Sequence, residues 1–218
     1  VPLIIKGEHM EDVHIIKDVL KENEFESLTQ ETKSNFNSAG ISERPNVNCF
    51  CSGEYTGLAT GNGETFYLKF PSPYLDLALF KILEEHYKCS ITSIVAFLRL
   101  NTGLLDNKLR IHSDRDMLGD TPSHAAVYYI TEDKTTENGT AFYRHKLHGE
   151  YHHEDIEQGE EEYGDESLWE RTGLVQGNAN SMVTYPANRF HGRFPHKSWG
   201  KDETDGRLIW TAFFNLDK

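Results

Sequence analysis

Two short stretches of this chain place a histidine and an aspartate one residue apart, which is a spacing that suits a metal-binding pair. They read HSD at 112–114 and HED at 153–155. Imidazole nitrogens and carboxylate oxygens are both ligands of divalent transition metals. A chain with 11 histidines and 35 acidic residues also contains such pairs by chance, so the surrounding sequence must distinguish the two copies.

The first pair follows the strand-like run KLRI, whereas the second lies inside a strongly acidic stretch. Residues i and i+2 of a strand point to the same face, so His112 and Asp114 are predicted to project together. Nothing in the composition around 153–155 indicates a rigid support for metal ligands. The first pair is therefore the predicted half-site, and the second pair is predicted to lie on the surface.

A third ligand is predicted at His191, in YPANRFHGRFPH, near the end of another short strand-like run. Two histidines and one carboxylate on one face of a metal ion are the ligand set of non-haem Fe(II) oxygenases. Such a set leaves three adjacent coordination positions, which suit a bidentate 2-oxo acid and dioxygen. A single carboxylate ligand leaves the Fe(II) site with a net positive charge, which favours a dianionic co-substrate.

The last strand-like segment, GRLIWTAFFN, opens with Arg207. A planar guanidinium group can bind a carboxylate through two parallel hydrogen bonds. Taken alone, Arg207 could equally be an edge residue that reaches solvent. Its position after His191 favours the other interpretation, in which it anchors the far carboxylate of the co-substrate.

The elements that must position these residues are mostly strands. From residue 91 onward, β-branched and aromatic residues form seven short runs that Gly, Asn, Asp and Pro separate. These runs are ITSIVAFLRL, LRIHSD, HAAVYYIT, GTAFYRH, SMVTYP, NRFHGRF and RLIWTAFF. Seven such strands predict a sandwich or jelly roll with helices packed outside it.

Two segments before residue 91 have the apolar spacing of a helix. Residues 73–88 carry an apolar stripe behind a proline that suits a first helical turn. Residues 12–22 carry Val13, Ile16 and Leu20 at helical spacing, which predicts a short first helix.

The whole chain, 1–218, is predicted to be a single domain of the α+β class, mainly β. Residues 1–90 form its helical and loop support region, and residues 91–218 form the catalytic core. The stretch 148–172 is acidic and nearly free of aliphatic residues, so it is predicted to be a solvated insertion or lid.

Composition excludes several other classes of protein. The formal net charge of −13 argues against a nucleic-acid partner, because such proteins need positive charge to neutralise phosphates. No run of 18 apolar residues suggests a membrane span. The three cysteines form no disulfide framework, so the sequence predicts a soluble cytoplasmic protein with reduced thiols.

Five motifs in this order resemble the Fe(II)/2-oxoglutarate-dependent oxygenases, most closely their prolyl-4-hydroxylase-like branch. They are IHSD, HAAVYYIT, ENGTAFYRH, YPANRFHGRFP and GRLIWTAFF, and the resemblance runs from about residue 91 to 215, a little over half of the chain. The resemblance implies a double-stranded β-helix, or jelly roll, core with supporting N-terminal helices. It also implies that His112, Asp114 and His191 are the catalytic iron ligands. Arg207 and Tyr129 would then bind the distal carboxylate of 2-oxoglutarate.

The sequence departs from the family's pattern at the basic anchor. Arg207 follows His191 by 16 residues, which is longer than the family's usual interval. Lys201 has the usual spacing, and Arg193 lies on the same predicted strand face as His191. Arg207 is the preferred anchor because it directly opens an apolar strand, and Lys201 and Arg193 remain alternatives.

The resemblance further implies an enzyme that uses Fe(II), 2-oxoglutarate and O2 to hydroxylate its substrate and releases succinate and CO2. The expected substrate is a peptidyl or free amino acid, or a small metabolite. Two alternatives remain open: a cupin-like metal enzyme that does not use 2-oxoglutarate, and a non-enzymatic jelly-roll binding module. The sequence determines neither the substrate nor the oligomeric state.

Overall fold

The computed structural model describes residues 6–7, 10–38, 56–59, 65–69, 72–101, 111–115, 120–131, 137–152, 165–196 and 205–217. Its helices are α1 (Glu22–Ser38) and α2 (Pro73–Tyr87). The strands are β1 (Lys6–Gly7), β2 (His14–Ile16), β3 (Thr56–Ala59), β4 (Thr65–Lys69), β5 (Ile91–Asn101), β6 (His124–Tyr129), β7 (Gly139–His145), β8 (Trp169–Gln176), β9 (Ser181–Pro186), β10 (His191–Phe194) and β11 (Arg207–Leu216).

The strands form two antiparallel sheets. The larger sheet has the order β2-β9-β6-β11-β5-β4-β3, and the smaller has the order β1-β8-β7-β10. Side chains from both sheets meet in one buried cluster, which includes Val127 and Ile209 of the larger sheet and Phe142 and Val175 of the smaller. The space between the two sheets is therefore the interior of a jelly roll, as the sequence predicts.

Helix α2 covers the outer face of the larger sheet. Ser72 caps it, because its Oγ accepts a hydrogen bond from the Leu75 N–H at 3.3 Å. Its buried leucines pack with apolar residues of β5, β6 and β11. The Trp210 Nε1–H on β11 donates to Asp76 Oδ1 at 2.6 Å, which attaches the helix directly to the central strand.

Six of the seven predicted strands and the second predicted helix are confirmed. The seventh, LRIHSD, forms only the bridge at His112 within its described residues, 111–114, and the insertion also needs a correction. Residues 169–172 belong to β8, which the sequence reading missed and which pairs with β7 along its length. Trp169 is buried against Phe190, so this end of the acidic stretch is part of the core. Its strand signal was hidden by the Glu and Asp residues that precede it. Residues 153–164, which include the second His-x-Asp copy, lie outside the described residues.

The helix predicted over 12–22 is wrong. Residues 14–16 form β2, which pairs with β9, and helix α1 begins only at Glu22. The side chain of Asn180 forms hydrogen bonds with both backbone groups of Leu20. Its Oδ1 accepts from the Leu20 N–H at 2.9 Å, and its Nδ2 donates to the Leu20 carbonyl at 2.8 Å. These tertiary hydrogen bonds keep the segment extended. The support region therefore contributes strands to both sheets as well as helices.

Within the described part of the chain, neither helix has both the length and the apolar composition that a membrane crossing requires.

Helix α2 supplies a direct test of this packing. Leu79 is completely buried against the larger sheet, so Leu79→Ala is expected to lower the free energy of unfolding by about 2–5 kcal/mol. Leu77 on the same helix is 72% exposed, and Leu77→Ala should change that free energy by no more than about 0.5 kcal/mol. Urea denaturation of both variants measures the difference. Equal losses would contradict the assigned inner face of α2.

Candidate metal centre

A short backbone pairing brings the predicted histidines together. The His112 N–H donates to the His191 carbonyl at 2.9 Å, and the His191 N–H donates to the His112 carbonyl at 2.9 Å. This antiparallel bridge places the two imidazole rings 4.6 Å apart between their centroids. Strand β10, which begins at His191, pairs with β7, so the smaller sheet holds one side of the bridge in place.

Asp114 completes the cluster from the same segment as His112. Its N–H donates to the Ala187 carbonyl at 2.7 Å, and the residue is only 6% exposed. Its carboxylate oxygens lie 3.1 Å from His191 Nε2 and 3.5 Å from His112 Nε2. One ligand atom from each of the three residues lies within 4.8 Å of the others. The structure thus brings all three sequence-predicted ligands to one place.

The orientation of His191 is fixed by a backbone carbonyl. His191 Nδ1 lies 3.0 Å from the Arg189 carbonyl, which can only accept, so Nδ1 carries the donated hydrogen. The opposite nitrogen, Nε2, then faces Asp114 and His112. A histidine held in this way by its second nitrogen is typical of metal ligands in proteins.

The electrostatics of the cluster are those of a tightly paired carboxylate and imidazole. Burial alone would raise the pKa of Asp114, but the charge and hydrogen bond of His191, with a contribution from His112, lower it. Burial alone would lower the pKa of His191, but Asp114 raises it. The negative carboxylate therefore already attracts positive charge to this point, and a divalent cation can take the place of the proton.

This donor set fits a first-row transition metal such as iron. Ligand atoms at right angles around a metal, with bonds of about 2.1 Å, lie about 3 Å apart. The two carboxylate–imidazole distances are 3.1 and 3.5 Å, so small side-chain movements bring the atoms to that spacing. Two imidazoles and one carboxylate are also the chemistry of an iron site with open positions.

The predicted co-substrate anchors also lie together between the sheets. Arg207 and Tyr129 are both buried, and the Arg207 guanidinium carbon is 5.4 Å from the centroid of the Tyr129 ring. Arg207 Nη2 donates to the Gly139 carbonyl at 3.3 Å, and the Tyr129 hydroxyl lies 2.6 Å from Thr140 Oγ1. Burial raises the pKa of Tyr129, which keeps its hydroxyl a donor.

Of the two alternative anchors, the structure describes Arg193 but not Lys201. Arg193 of β10 pairs opposite Thr140 on the inner face of the smaller sheet, and its Nη2 donates to the His196 carbonyl at 2.7 Å. It therefore faces the same interior as Arg207. Lys201 lies outside the described residues.

Tyr185 is a site residue that the sequence reading did not identify. It is almost completely buried, and its ring centroid lies 4.7 Å from that of His191. Burial raises its pKa well above the ordinary value, and the Asp114 charge and Tyr129 raise it further, whereas Arg207 opposes them. Tyr185 therefore lies between the His–Asp cluster and the Arg207 pocket. The alternation in SMVTYP, which gives Tyr185 the same face as Val183, was the available signal.

A buried arginine supports the cluster from behind. Arg189 is completely buried, and its Nη1 pairs with Asp12 and donates to the Tyr151 hydroxyl at 3.0 Å. Its Nη2 lies 3.5 Å from Glu150. Since the Arg189 carbonyl orients His191, this network holds the backbone on which the His191 orientation depends. Its partners come from distant parts of the chain, so sequence spacing gave no signal for it.

Comparison with known proteins gives no match by sequence but clear matches by structure. No family model matches the chain, and no curated protein matches it. The epimerase SnoN, in complex with Fe3+, alpha ketoglutarate and nogalamycin RO, superposes with a TM-score of 0.59 at 13% identity, over 94% of this chain and 79% of SnoN.

Two further matches come from bacteria of different genera. A prolyl-4-hydroxylase from Pseudomonas putida has a TM-score of 0.55 at 13% identity, over 95% of this chain and 94% of that enzyme. HygX from Streptomyces hygroscopicus, with nickel, 2-oxoglutarate and hygromycin B bound, has a TM-score of 0.54 at 13% identity, over 93% of this chain and 82% of HygX. The chain has the fold of the Fe/2-oxoglutarate-dependent oxygenases.

The oxygenase fold spans the described chain and not only the region that carries the motifs. The first motif begins at residue 111, whereas the structural matches cover at least nine-tenths of the chain. The part of the chain before the motifs contributes strands β1 and β2 to the two sheets and helix α2 to the outer face of the larger sheet.

Arg189 provides a test of the support behind the cluster. Arg189→Met leaves the carboxylates of Asp12 and Glu150 without their buried partner, so the free energy of unfolding should fall by about 3–5 kcal/mol. Arg144 pairs with Glu170 on the surface, and Arg144→Met should lower it by about 1 kcal/mol or less. Chemical denaturation of the two variants measures both effects. A loss for Arg189→Met no larger than for Arg144→Met would show that the buried network does not hold this region.

Proposed function

We propose that this protein is an Fe(II)- and 2-oxoglutarate-dependent dioxygenase that hydroxylates a small molecule or a residue of a peptide. His112, Asp114 and His191 would hold the iron, and Arg207 and Tyr129 would bind the distal carboxylate of 2-oxoglutarate. The iron, 2-oxoglutarate and O2 supply the oxidising chemistry, in which a C–H bond becomes C–OH and 2-oxoglutarate becomes succinate and CO2.

One observation carries this proposal. The cluster of His112, Asp114 and His191 faces the interior between the two sheets of an oxygenase fold. The buried guanidinium of Arg207 faces the same interior. A metal site alone would suit many enzymes, and a buried arginine alone would suit a structural ion pair. Together they match the two ends of a dianionic 2-oxo acid, whose one end chelates a metal while the other pairs with a cation.

The chain's own residues have distinct tasks in this proposal. Asp114 and His191 are buried, so bulk water would have little access to a metal ion that they held. The side chain of His112 is 28% exposed and marks the side that a substrate can approach. Arg207 fixes the far end of the co-substrate, which leaves its near end in a set position.

The structural neighbours support the cofactors and the type of substrate. HygX binds nickel, 2-oxoglutarate and hygromycin B, and SnoN binds iron, alpha ketoglutarate and nogalamycin RO. These are small-molecule ligands, whereas the Pseudomonas putida neighbour is a prolyl-4-hydroxylase. We therefore include both small molecules and peptide residues in the proposed substrate class.

An anaerobic titration tests the proposed cofactors. Adding Fe(II) and then 2-oxoglutarate to the metal-free protein should produce a visible metal-to-ligand charge-transfer band that needs both components. His112→Ala removes one of the three iron ligands and should abolish the band. Absorption spectroscopy under argon measures it.

The second His-x-Asp copy supplies a matched control for this titration. His153→Ala removes a histidine from the same short motif and should leave the band at wild-type strength. Fe(II) binding without a band would favour the cupin-like enzyme that does not use 2-oxoglutarate. Absence of Fe(II) binding would favour the non-enzymatic binding module.

The anchor assignment has its own test. Arg207→Gln removes the charge of the buried guanidinium, so the dissociation constant of 2-oxoglutarate should rise about tenfold to a hundredfold while Fe(II) still binds. Arg193→Gln and Lys201→Gln remove the same charge from the alternative anchors and should have clearly smaller effects. Titration of the charge-transfer band gives all three constants. A larger effect in either control would transfer the anchor role to that residue.

A further inference from the structure

Tyr185 of β9 lies against a proposed metal ligand on the inner face of the larger sheet. Its ring centroid is 4.7 Å from that of His191 and 5.1 Å from that of Phe142, and only 1% of the residue is exposed. Both of these partners belong to the smaller sheet, where they pair opposite each other. The Tyr185 side chain therefore reaches across the interior to the wall that carries His191.

The hydroxyl group of Tyr185 forms no hydrogen bond with another residue that the structure describes. Two neighbouring buried tyrosines do have partners: the Tyr128 hydroxyl donates to Asn180 Oδ1 at 3.0 Å, and the Tyr129 hydroxyl lies 2.6 Å from Thr140 Oγ1. Buried hydroxyl groups are nearly always hydrogen-bonded, because an unsatisfied one loses its bonds to water and gains nothing in return. Packing alone therefore does not explain a tyrosine at position 185, and its hydroxyl indicates a ligand.

The smaller sheet places Tyr185 beside the metal-binding end of the proposed co-substrate. Its ring contacts the pair formed by Phe142 and His191. The next inward-facing residue along β7 is Thr140, whose hydroxyl contacts that of Tyr129. Since Tyr129 belongs to the proposed anchor of the far carboxylate, Tyr185 lies one step closer to the metal than that anchor does. A 2-oxo acid that joins the metal to the anchor must pass Tyr185 at its near end.

We propose that the Tyr185 hydroxyl donates a hydrogen bond to the carboxylate at the metal-binding end of 2-oxoglutarate and so orients that end on the iron. This inference rests on the proposed oxygenase function. A phenolic hydroxyl is a hydrogen-bond donor, and an ionised carboxylate is a stronger acceptor than a neutral carbonyl group. In this role Tyr185 fixes the near end of the co-substrate while Arg207 fixes the far end.

Tyr185→Phe tests this hydrogen bond because it keeps the ring that packs on His191 and removes only the hydroxyl. The metal-free variant is titrated with Fe(II) and then with 2-oxoglutarate under argon, and the charge-transfer band is recorded. The affinity for Fe(II) should be unchanged, and the dissociation constant of 2-oxoglutarate should rise about tenfold. The band should also move to shorter wavelength, because the hydrogen bond draws electron density from the 2-oxo acid and lowers the energy of the orbital that accepts the transferred charge.

Tyr128→Phe is the matched control. Its hydroxyl bonds to Asn180 on the outer face of the same sheet, so the free energy of unfolding of the metal-free protein should fall while the dissociation constant and the band keep their wild-type values. In Tyr185→Phe the free energy of unfolding should not fall, because the hydroxyl that is removed forms no hydrogen bond within the described chain. Urea denaturation of the two variants measures this contrast, which a merely structural role of Tyr185 would not produce.

Pyruvate identifies the end of the co-substrate that Tyr185 contacts. It has the same metal-binding end as 2-oxoglutarate and lacks the far carboxylate. Tyr185→Phe should therefore weaken the binding of pyruvate by the same factor as that of 2-oxoglutarate. Arg207→Gln should leave the binding of pyruvate unchanged.

Two results would overturn the inference. An unchanged dissociation constant and an unchanged band in Tyr185→Phe would make Tyr185 a packing residue only. A loss of affinity for 2-oxoglutarate without a loss for pyruvate would assign the hydroxyl to the far carboxylate. Absence of the band in the wild-type protein would instead refute the proposed function, so the two conclusions fail in different experiments.

Discussion

The backbone bridge between His112 and His191 is the interaction on which the candidate site depends. Two hydrogen bonds of 2.9 Å join segments that are far apart in sequence and place the two imidazole rings side by side. Closing such a long loop lowers the conformational entropy of the chain. The net stabilisation from two hydrogen bonds is too small to offset that cost. The sheets provide the stabilisation instead, because β10 pairs with β7 and the Asp114 N–H is bound to Ala187, just after β9. The jelly roll is thus the means by which one short bridge persists.

Burial of charge is the second constraint, and it explains the role of the N-terminal segment. The backbone carbonyl of Arg189 orients the His191 ring, so residue 189 lies directly behind that ring. Its guanidinium group is completely buried there. Such a charge is tolerated only with partners, and Asp12 supplies one of them from the loop before β2. The pairing of β2 with β9 brings that loop to the site. The segment from Asp12 to Ile16 is therefore part of the support of the proposed metal centre.

The sequence identified the groups that act locally and missed those that act through tertiary contacts. His112, Asp114, His191 and Arg207 could be predicted because each belongs to a short strand-like motif, and the resemblance to the oxygenases added Tyr129. Arg189 could not be predicted, since its function depends on partners that only the fold brings near. The same reason explains the error over 12–22. The apolar spacing there fits a helix, and the hydrogen bonds from Asn180 that keep the segment extended come from the other end of the chain.

The oxygenase fold by itself does not select a reaction, since its neighbours include an epimerase and a prolyl-4-hydroxylase. Iron and 2-oxoglutarate supply the same oxidising chemistry in each case, so the outcome depends on which substrate bond is held beside the metal. In this chain the deep wall of the interior is closed by buried residues such as Tyr185 and Ile209. The inward-facing residues Phe97 and Arg99 of β5 are less buried, so differences in substrate would be accommodated on this side of the interior rather than at the deep wall.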